Sequence, residues 1–231
     1  MPATPSPLPE TVVMLHGIAM PAFVLRRFAR RLAAAGYRVV IHSYPSRTLT
    51  LEQLAREHLP AGLRAAGAAQ APRLHFVAHS MGAIIVRLHL QEHRPANLGR
   101  VVLLGPPNAG SRVADRLSRS AICRWLAGPN LRRLGAATPD AIAPHLQPPD
   151  YEAGVIAGAR SINPVFSRWL ERPNDGAVSV ASARLAGARD FLVVPHSHTM
   201  MLWRGAVAAR VVAFLRTGRF AGRPTADLDT D

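Results

Sequence analysis

Lysine is absent from this 231-residue chain, and all 28 of its basic residues are arginine. Only 14 acidic residues oppose them, which leaves a formal net charge of +14. A charge of this size suits a nucleic-acid or membrane partner when the cations are clustered. Here the arginines are spread along the sequence, together with heavy use of alanine and proline. We therefore interpret the charge as compositional background and expect no nucleic-acid partner.

Cysteine is nearly absent, since Cys123 is the single thiol in the sequence. No intrachain disulfide and no cysteine-based metal site can form, so stability must come from packing. Most of the histidines show no spacing typical of metal ligands, and no glycine pattern typical of nucleotide binding occurs. These histidines are His42, His58, His75, His89, His93 and His145. We expect no metal ion and no cofactor.

Long apolar runs are also missing, because no stretch reaches 18 uninterrupted apolar residues. The opening "MPATPSPLPE" lacks the cationic start and apolar core of a signal peptide. We expect a soluble, cytoplasmic protein without a transmembrane segment, with secretion left open if a leader has been trimmed. The sequence does not predict the oligomeric state.

Apolar runs of strand length alternate with helical patterns along most of the chain. The strands are predicted at 11–17, 37–44, 74–78, 100–107, 154–159 and 191–194, and the helices at 22–35, 49–66, 81–93 and 200–216. Strands and helices that alternate at this spacing imply crossover connections between parallel strands. The sequence predicts an α/β fold, with a mostly parallel central sheet and helices on both faces.

The chain is long enough for one core, and we expect a single domain over 11–217. From 111 to 153 the pattern loosens into short helical pieces broken by "GPN", "TPD" and "QPPD". We interpret this segment as a cap-like excursion inserted in the domain, bordering its pocket. The two ends, 1–10 and 218–231, are rich in Pro, Ala and Asp, and we expect them to be disordered.

The stretch "LHFVAHSMGAIIV" places Ser80 on the turn between a predicted strand and a predicted helix. A tight strand-turn-helix elbow exposes a serine hydroxyl above the sheet and needs small residues two positions before and after it. Ala78 and Gly82 occupy those positions. Ser80 is therefore a candidate nucleophile, although serine is also a favoured helix N-cap residue.

A serine nucleophile needs a base, and the base needs an acid that orients it. In the order typical of an elbow serine, the acid follows a later strand and the histidine comes last. Asp175, in "RPNDGAVSV", and His198, in "VVPHSHTMM", lie at those places. Asp175 also fits an ordinary Asp-Gly turn, and His196 is a second candidate for the base. We favour His198 because it is the last residue before Thr199, which we expect to cap the final helix.

Two backbone N–H groups should bind the oxyanion that forms during acyl transfer. The residue after the serine, Met81, supplies one, and Ile18 in the loop after the first strand supplies the other. We interpret His16 as a residue that braces this loop and His79 as a spacer in the elbow.

Five segments occur in a recognisable order: "VVMLHGI", "HFVAHSMGA", "LLGPPNAGSRVAD", "NDGAVSV" and "SHTMM". Together they resemble the α/β-hydrolase superfamily, and specifically its bacterial lipase/esterase branch. The resemblance covers roughly 11–118 and 163–217, and implies an α/β-hydrolase fold with a catalytic triad of Ser80, Asp175 and His198. The branch often has a histidine where Asn108 stands, so the role of Asn108 is left open.

The predicted function is that of a serine ester hydrolase, a carboxylesterase or lipase that acts through an acyl-enzyme. Met20 and Met200 lie near the catalytic segments and suit a small-molecule or lipid ester with an apolar acyl chain, although both are equally consistent with core methionines. In the excursion we expect Trp125 and Leu126 to influence chain-length preference. A thioesterase, amidase or acyltransferase with the same triad remains an alternative, as does a catalytically silent binding protein with this fold.

Overall fold

The computed structural model describes residues 8–221. It contains six strands: β1 (Thr11–Leu15), β2 (Arg38–His42), β3 (Leu74–His79), β4 (Leu98–Leu104), β5 (Ala153–Gly158) and β6 (Asp190–Val194). They form one sheet in the order β2-β1-β3-β4-β5-β6, and every neighbouring pair is parallel. The predicted α/β fold is confirmed, and the sheet predicted to be mostly parallel is parallel throughout.

Helices connect the strands as the alternating pattern predicted. They are α1 (Arg26–Ala34), α2 (Leu51–Gln53), α3 (Leu59–Ala65), α4 (Met81–Glu92), α5 (Arg112–Leu117), α6 (Ala121–Ala127), α7 (Asn130–Arg133), α8 (Pro164–Ser167), α9 (Val180–Ala183) and α10 (Gly205–Thr217). A π-helical segment, Leu54–His58, joins α2 to α3, so the predicted helix at 49–66 is one continuous helical stretch. Short 3-10 segments at Ala22–Leu25 and Met200–Trp203 precede α1 and α10.

The two faces of the sheet bury different side chains because successive strand residues point to opposite sides. On β1, Val13 and Leu15 pack in a core with α2, α3 and α4, whereas Val12 and Met14 pack with α1 and α10. Because helices cover both faces of the sheet, strand side chains on either face are mostly buried. This explains why the strands appear in the sequence as largely apolar runs.

The described ends of the chain contact the sheet. Glu10 accepts a hydrogen bond from the ring of His75 on β3 (Oε2 to Nε2, 3.1 Å), and the Phe220 amide donates to the carboxylate of Asp190 on β6 (2.7 Å). The predictions of disorder at 1–10 and 218–231 fall largely outside the described residues. Between residues 8 and 221, no helix is both long and apolar enough to cross a membrane.

Candidate active site

Ser80 sits on a sharp corner between the end of β3 and the start of α4. Its backbone has φ 55° and ψ −122°, a conformation that is strained for a residue with a side chain. Its amide donates to the carbonyl oxygen of Leu104 at the end of β4 (2.9 Å), which ties the corner to the neighbouring strand. The Ser80 hydroxyl makes no capping hydrogen bond to α4 within the described structure. The N-cap interpretation of Ser80 therefore has no support in this geometry.

Glycine at 82 is required because the first turn of α4 passes against the end of β1. A Cβ atom at this position would lie 2.6 Å from the His16 carbonyl oxygen and 2.9 Å from the Leu15 Cβ. At Gly17, a Cβ atom would approach the Ser80 Cβ to 3.1 Å. The small residues of the elbow thus let two loops meet beside the serine.

Asp175 and His198 form a hydrogen-bonded pair. His198 Nδ1 lies 2.7 Å from Asp175 Oδ2, and the His198 amide donates to the Asp175 carbonyl oxygen (3.0 Å). The other carboxylate oxygen of Asp175 accepts from the amides of Ala177 (2.9 Å) and Val178 (2.8 Å). Asp175 is 2% exposed, so its carboxylate is buried with donors on both oxygens.

This pairing fixes the tautomer of His198 in its neutral form. An ionised carboxylate only accepts hydrogen bonds, so Nδ1 carries the proton and Nε2 is left with a lone pair. Gly105, at the end of β4, has a φ of 54° and makes room for the pair. A Cβ atom there would lie 3.0 Å from His198 Nδ1 and 3.2 Å from Asp175 Oδ2.

The loop after β1, which carries Ile18, is held in place by residues of the loop after β2. The His16 ring stacks on the Tyr44 ring with centroids 4.0 Å apart, and the Tyr44 hydroxyl donates to the His16 carbonyl oxygen. One residue further, the Ala19 amide donates to the Ser46 hydroxyl (3.1 Å). His16 occupies the bracing position expected from the sequence.

Ser80 and His198 border one cavity of about 260 Å³. Ile18 and Met20 also line it, and most of the remaining wall is apolar. The apolar part of the wall includes Val113, Ala114, Leu117, Leu131, Leu134 and Phe166. The first five of these residues belong to the excursion at 111–153, so this segment forms one side of the cavity.

Other predicted site residues lie elsewhere. Met200 borders a separate surface depression together with His196, and does not line the cavity beside Ser80. Trp125 and Leu126 on α6 are 75% and 48% exposed and face solvent. Thr199, by contrast, lines the cavity beside Ser80 and precedes the 3-10 segment before α10, but its side chain makes no capping bond within the described residues.

Asn108 joins three parts of the chain. Its side-chain oxygen accepts from the buried guanidinium of Arg87 on α4 (2.9 Å), and its amide nitrogen donates to the Ala183 carbonyl oxygen (2.8 Å). Arg87 also donates to the carbonyl oxygen of Gln147, in the excursion (3.0 Å). The role that the sequence left open is therefore that of a brace between α4, α9 and the excursion.

His79, interpreted from the sequence as a spacer in the elbow, contacts the backbone of His198. His79 is buried at the end of β3, and its Nε2 lies 2.9 Å from the His198 carbonyl oxygen. The motif "AHSMG" places a polar ring beside the elbow, but strand alternation alone does not show which partner the ring meets.

Across residues 8–221 no group of three or more His, Cys, Asp or Glu side chains is arranged to hold a metal ion.

Solved structures of lipases and esterases have the same architecture as this chain. The mature form of lipase BlEst2 from Bacillus licheniformis matches with a TM-score of 0.70 at 20% identity, covering 94% of this chain and 95% of that chain. The propeptide form of the same lipase matches with a TM-score of 0.71 at 21% identity, and this chain spans about half (51%) of its length.

A metagenomic carboxyl esterase matches with a TM-score of 0.63 at 19% identity, covering 85% of this chain and 68% of that chain. By sequence, no family model and no curated protein matches the chain. At these identities the likeness shows the fold, and the chain has the α/β-hydrolase fold of these enzymes.

Proposed function

We propose that this protein is a serine hydrolase that cleaves carboxylic esters through an acyl-enzyme. The observation that carries the proposal is the Asp175–His198 pair, whose histidine shares one cavity with Ser80 at a strained elbow. The names of the structural neighbours, a lipase and a carboxyl esterase, support the same class of reaction.

In the proposed first half-reaction, Ser80 Oγ attacks the ester carbonyl carbon while His198 Nε2 takes the hydroxyl proton. Asp175 holds the ring in the required tautomer and stabilises the imidazolium that forms. The resulting oxyanion accepts hydrogen bonds from the backbone N–H groups of Met81 and Ile18. The Met81 N–H is suited to this because it is the first amide of α4, and the first amides of a helix have no acceptor within the helix.

Collapse of the tetrahedral intermediate breaks the bond to the alcohol, which leaves with the proton held by His198. In the second half-reaction His198 takes a proton from a water molecule while the water oxygen attacks the acyl carbon. Collapse of this second tetrahedral intermediate breaks the bond to Ser80 Oγ, which takes the proton back from His198 as the acid leaves. The apolar wall formed by residues of the excursion fits an apolar acyl chain, and burial of that chain contributes roughly 0.8 kcal/mol for each CH₂.

Turnover of p-nitrophenyl esters of graded chain length tests the proposal, with acyl-CoA and amide substrates assayed in parallel. We expect the ester series to be hydrolysed and a fluorophosphonate to label Ser80. The Ser80→Ala variant, folded as judged by circular dichroism, should lose at least about 10⁴-fold in kcat. Labelling at another serine would contradict the proposed nucleophile, and faster turnover of the thioester or amide would reassign the reaction to the thioesterase or amidase class. Absence of turnover and of labelling would support a silent binding protein.

A further inference from the structure

His79 lines the same cavity as Ser80 and His198, and the proposed mechanism gives it no task. It is the last residue of β3 and directly precedes Ser80. Its side chain is 1% exposed, and its ring centroid lies 4.6 Å from that of His198. Burial of a polar ring is unfavourable unless the ring is hydrogen-bonded, so the partner of His79 is informative.

The hydrogen bond of His79 determines its tautomer. A carbonyl oxygen only accepts hydrogen bonds, so the 2.9 Å contact with the His198 carbonyl oxygen means that His79 Nε2 carries a proton. Burial, together with the neighbouring His198, lowers the pKa of His79 well below its ordinary value, so the ring is neutral. Nδ1 then holds a lone pair, and it has no hydrogen-bond partner among the described residues.

The described residues supply three hydrogen bonds that hold His198. Two of them, from its amide and from Nδ1, join it to Asp175. The third, from His79 to its carbonyl oxygen, joins it to the elbow. The first two place the base relative to the acid, and only the third places it relative to the nucleophile.

On this basis we propose that His79 is a positioning residue that sets the location of His198 relative to Ser80 by donating a hydrogen bond to the His198 backbone. The inference rests on the proposed serine-hydrolase function. A displacement of about 1 Å between reacting groups can cost on the order of 100-fold in rate, so one such bond has a measurable effect.

Two substitutions at this position separate the hydrogen bond from the packing of the ring. His79→Phe keeps an aromatic ring and removes the donor, whereas His79→Gln keeps an N–H donor near the position of Nε2. We expect His79→Phe to lower kcat by about 10- to 100-fold with KM changed by less than about threefold. His79→Gln should recover most of that loss. The rate of fluorophosphonate labelling of Ser80 should follow kcat in both variants.

His89→Phe is the matched control. His89 is also buried, its Nδ1 lies 3.0 Å from the carbonyl oxygen of Ala55, and neither residue lines the cavity beside Ser80. Both Phe variants lose one imidazole-to-carbonyl hydrogen bond, so both are expected to unfold at lower temperature than the wild type. Assayed well below that temperature, His89→Phe should keep kcat within about threefold of wild type.

Equal kcat losses in His79→Phe and His79→Gln would overturn the inference, and so would a His79→Phe variant no slower than His89→Phe. If His79→Phe does not fold, kcat is compared between His79→Gln and His79→Asn. The Asn side chain is shorter, and its amide does not reach the His198 carbonyl oxygen. Gln faster than Asn supports the inference, and equal rates overturn it. Ser80→Ala in the same assay separates the two proposals, because wild-type turnover in that variant overturns the proposed function itself.

Discussion

In the sheet each strand is bonded along its length to its neighbours, whereas the excursion at 111–153 is attached to the rest of the chain by individual side chains. Asn130, at the start of α7, is an example, since its amide nitrogen donates to the carbonyl oxygens of Ser46 (3.2 Å) and Leu49 (2.8 Å). Another is the ion pair that joins Arg133 to α2. The sheet repeats one kind of contact many times, whereas the excursion is held by contacts of several kinds: side-chain hydrogen bonds, ion pairs and apolar side chains buried in the core.

Helix length accounts for this difference. The helices of the excursion, α5, α6 and α7, have six, seven and four residues, and helices this short are not stable in isolation. They must be held by residues outside them. The catalytic groups proposed here come from the strand ends, and the acyl-chain wall comes from the excursion. We therefore expect changes at the strand ends to alter whether the reaction occurs, and changes in the excursion to alter which ester reacts.

The largest effect is expected at the strand-end loops, with the pair His196 and His198. His198→Ala removes the proposed base and should lower kcat by about 10⁴-fold or more. His196→Ala should retain a substantial fraction of activity, because His196 borders a different depression. Initial rates of ester hydrolysis by the two folded variants decide the matter, and the reverse ranking would refute the assignment of the base.

Next in size is the brace that ties the excursion to α4. Asn108→Ala removes an acceptor from the buried guanidinium of Arg87 and should lower the free energy of unfolding by about 2–3 kcal/mol. The control is Asn163→Ala, which removes the cap of α8 and should cost about 1 kcal/mol. Urea denaturation measures both. A loss in Asn108→Ala no larger than in the control would show that the excursion does not need this brace.

A smaller effect is expected within the excursion itself. Leu131 is buried and lines the cavity, whereas Trp125 is exposed on α6. Leu131→Ala should shift the ratio of kcat/KM for long over short acyl esters by about fivefold to tenfold towards longer chains. Trp125→Ala should leave that ratio within about twofold of wild type. A larger shift in Trp125→Ala would mean that α6 contacts the acyl chain after all.

The smallest expected effect is a pH dependence in the sheet. Burial, with the neighbouring His58, lowers the pKa of His42 on β2 to about 4. Between that value and the ordinary pKa of about 6.5 the unfolded chain binds more protons, so stability rises with pH across this window. The contribution of His42 is complete above about pH 6.5 and is lost as the pH falls towards 4.

We therefore expect His42→Phe to show a smaller drop in melting temperature than wild type between about pH 7 and pH 5. Val40→Ala, on the same strand, removes no titrating group, and its melting curve should fall in parallel with that of wild type. A His42→Phe variant with the full wild-type drop would mean that other buried histidines account for the acid sensitivity.

The strands of the sheet could be predicted from the sequence because each is recognised from a short run of neighbouring residues. All six strands lie at the predicted runs, and Ser80 lies on the predicted tight turn between a strand and a helix. Asp175 and His198 are 23 residues apart in the chain, and they meet because the loop that carries Asp175 packs back against Gly158 at the end of β5, beside the end of β6. Their catalytic roles remain predictions that the variants above will test.

Contacts between remote side chains could not be predicted in this way. Trp125, which the sequence suggested as an influence on chain-length preference, is exposed on α6 and does not line the cavity beside Ser80. A seven-residue helix has too few turns for its apolar face to identify its neighbour. The partners of His79 and Asn108 were missed for a related reason. Each donates to a backbone carbonyl oxygen. Every residue carries such an oxygen, so the sequence does not indicate which one accepts the hydrogen bond.

The single cysteine described at the outset lies on α6, half-buried and packed against the core on the α4 side of the sheet. Because Cys123 is the only thiol in the chain, a maleimide fluorophore or spin label attaches at one known position without any engineered cysteine. That position is in the excursion. Spectroscopy on the wild-type sequence can thus follow the segment that forms the acyl-chain wall while the strand ends remain unlabelled.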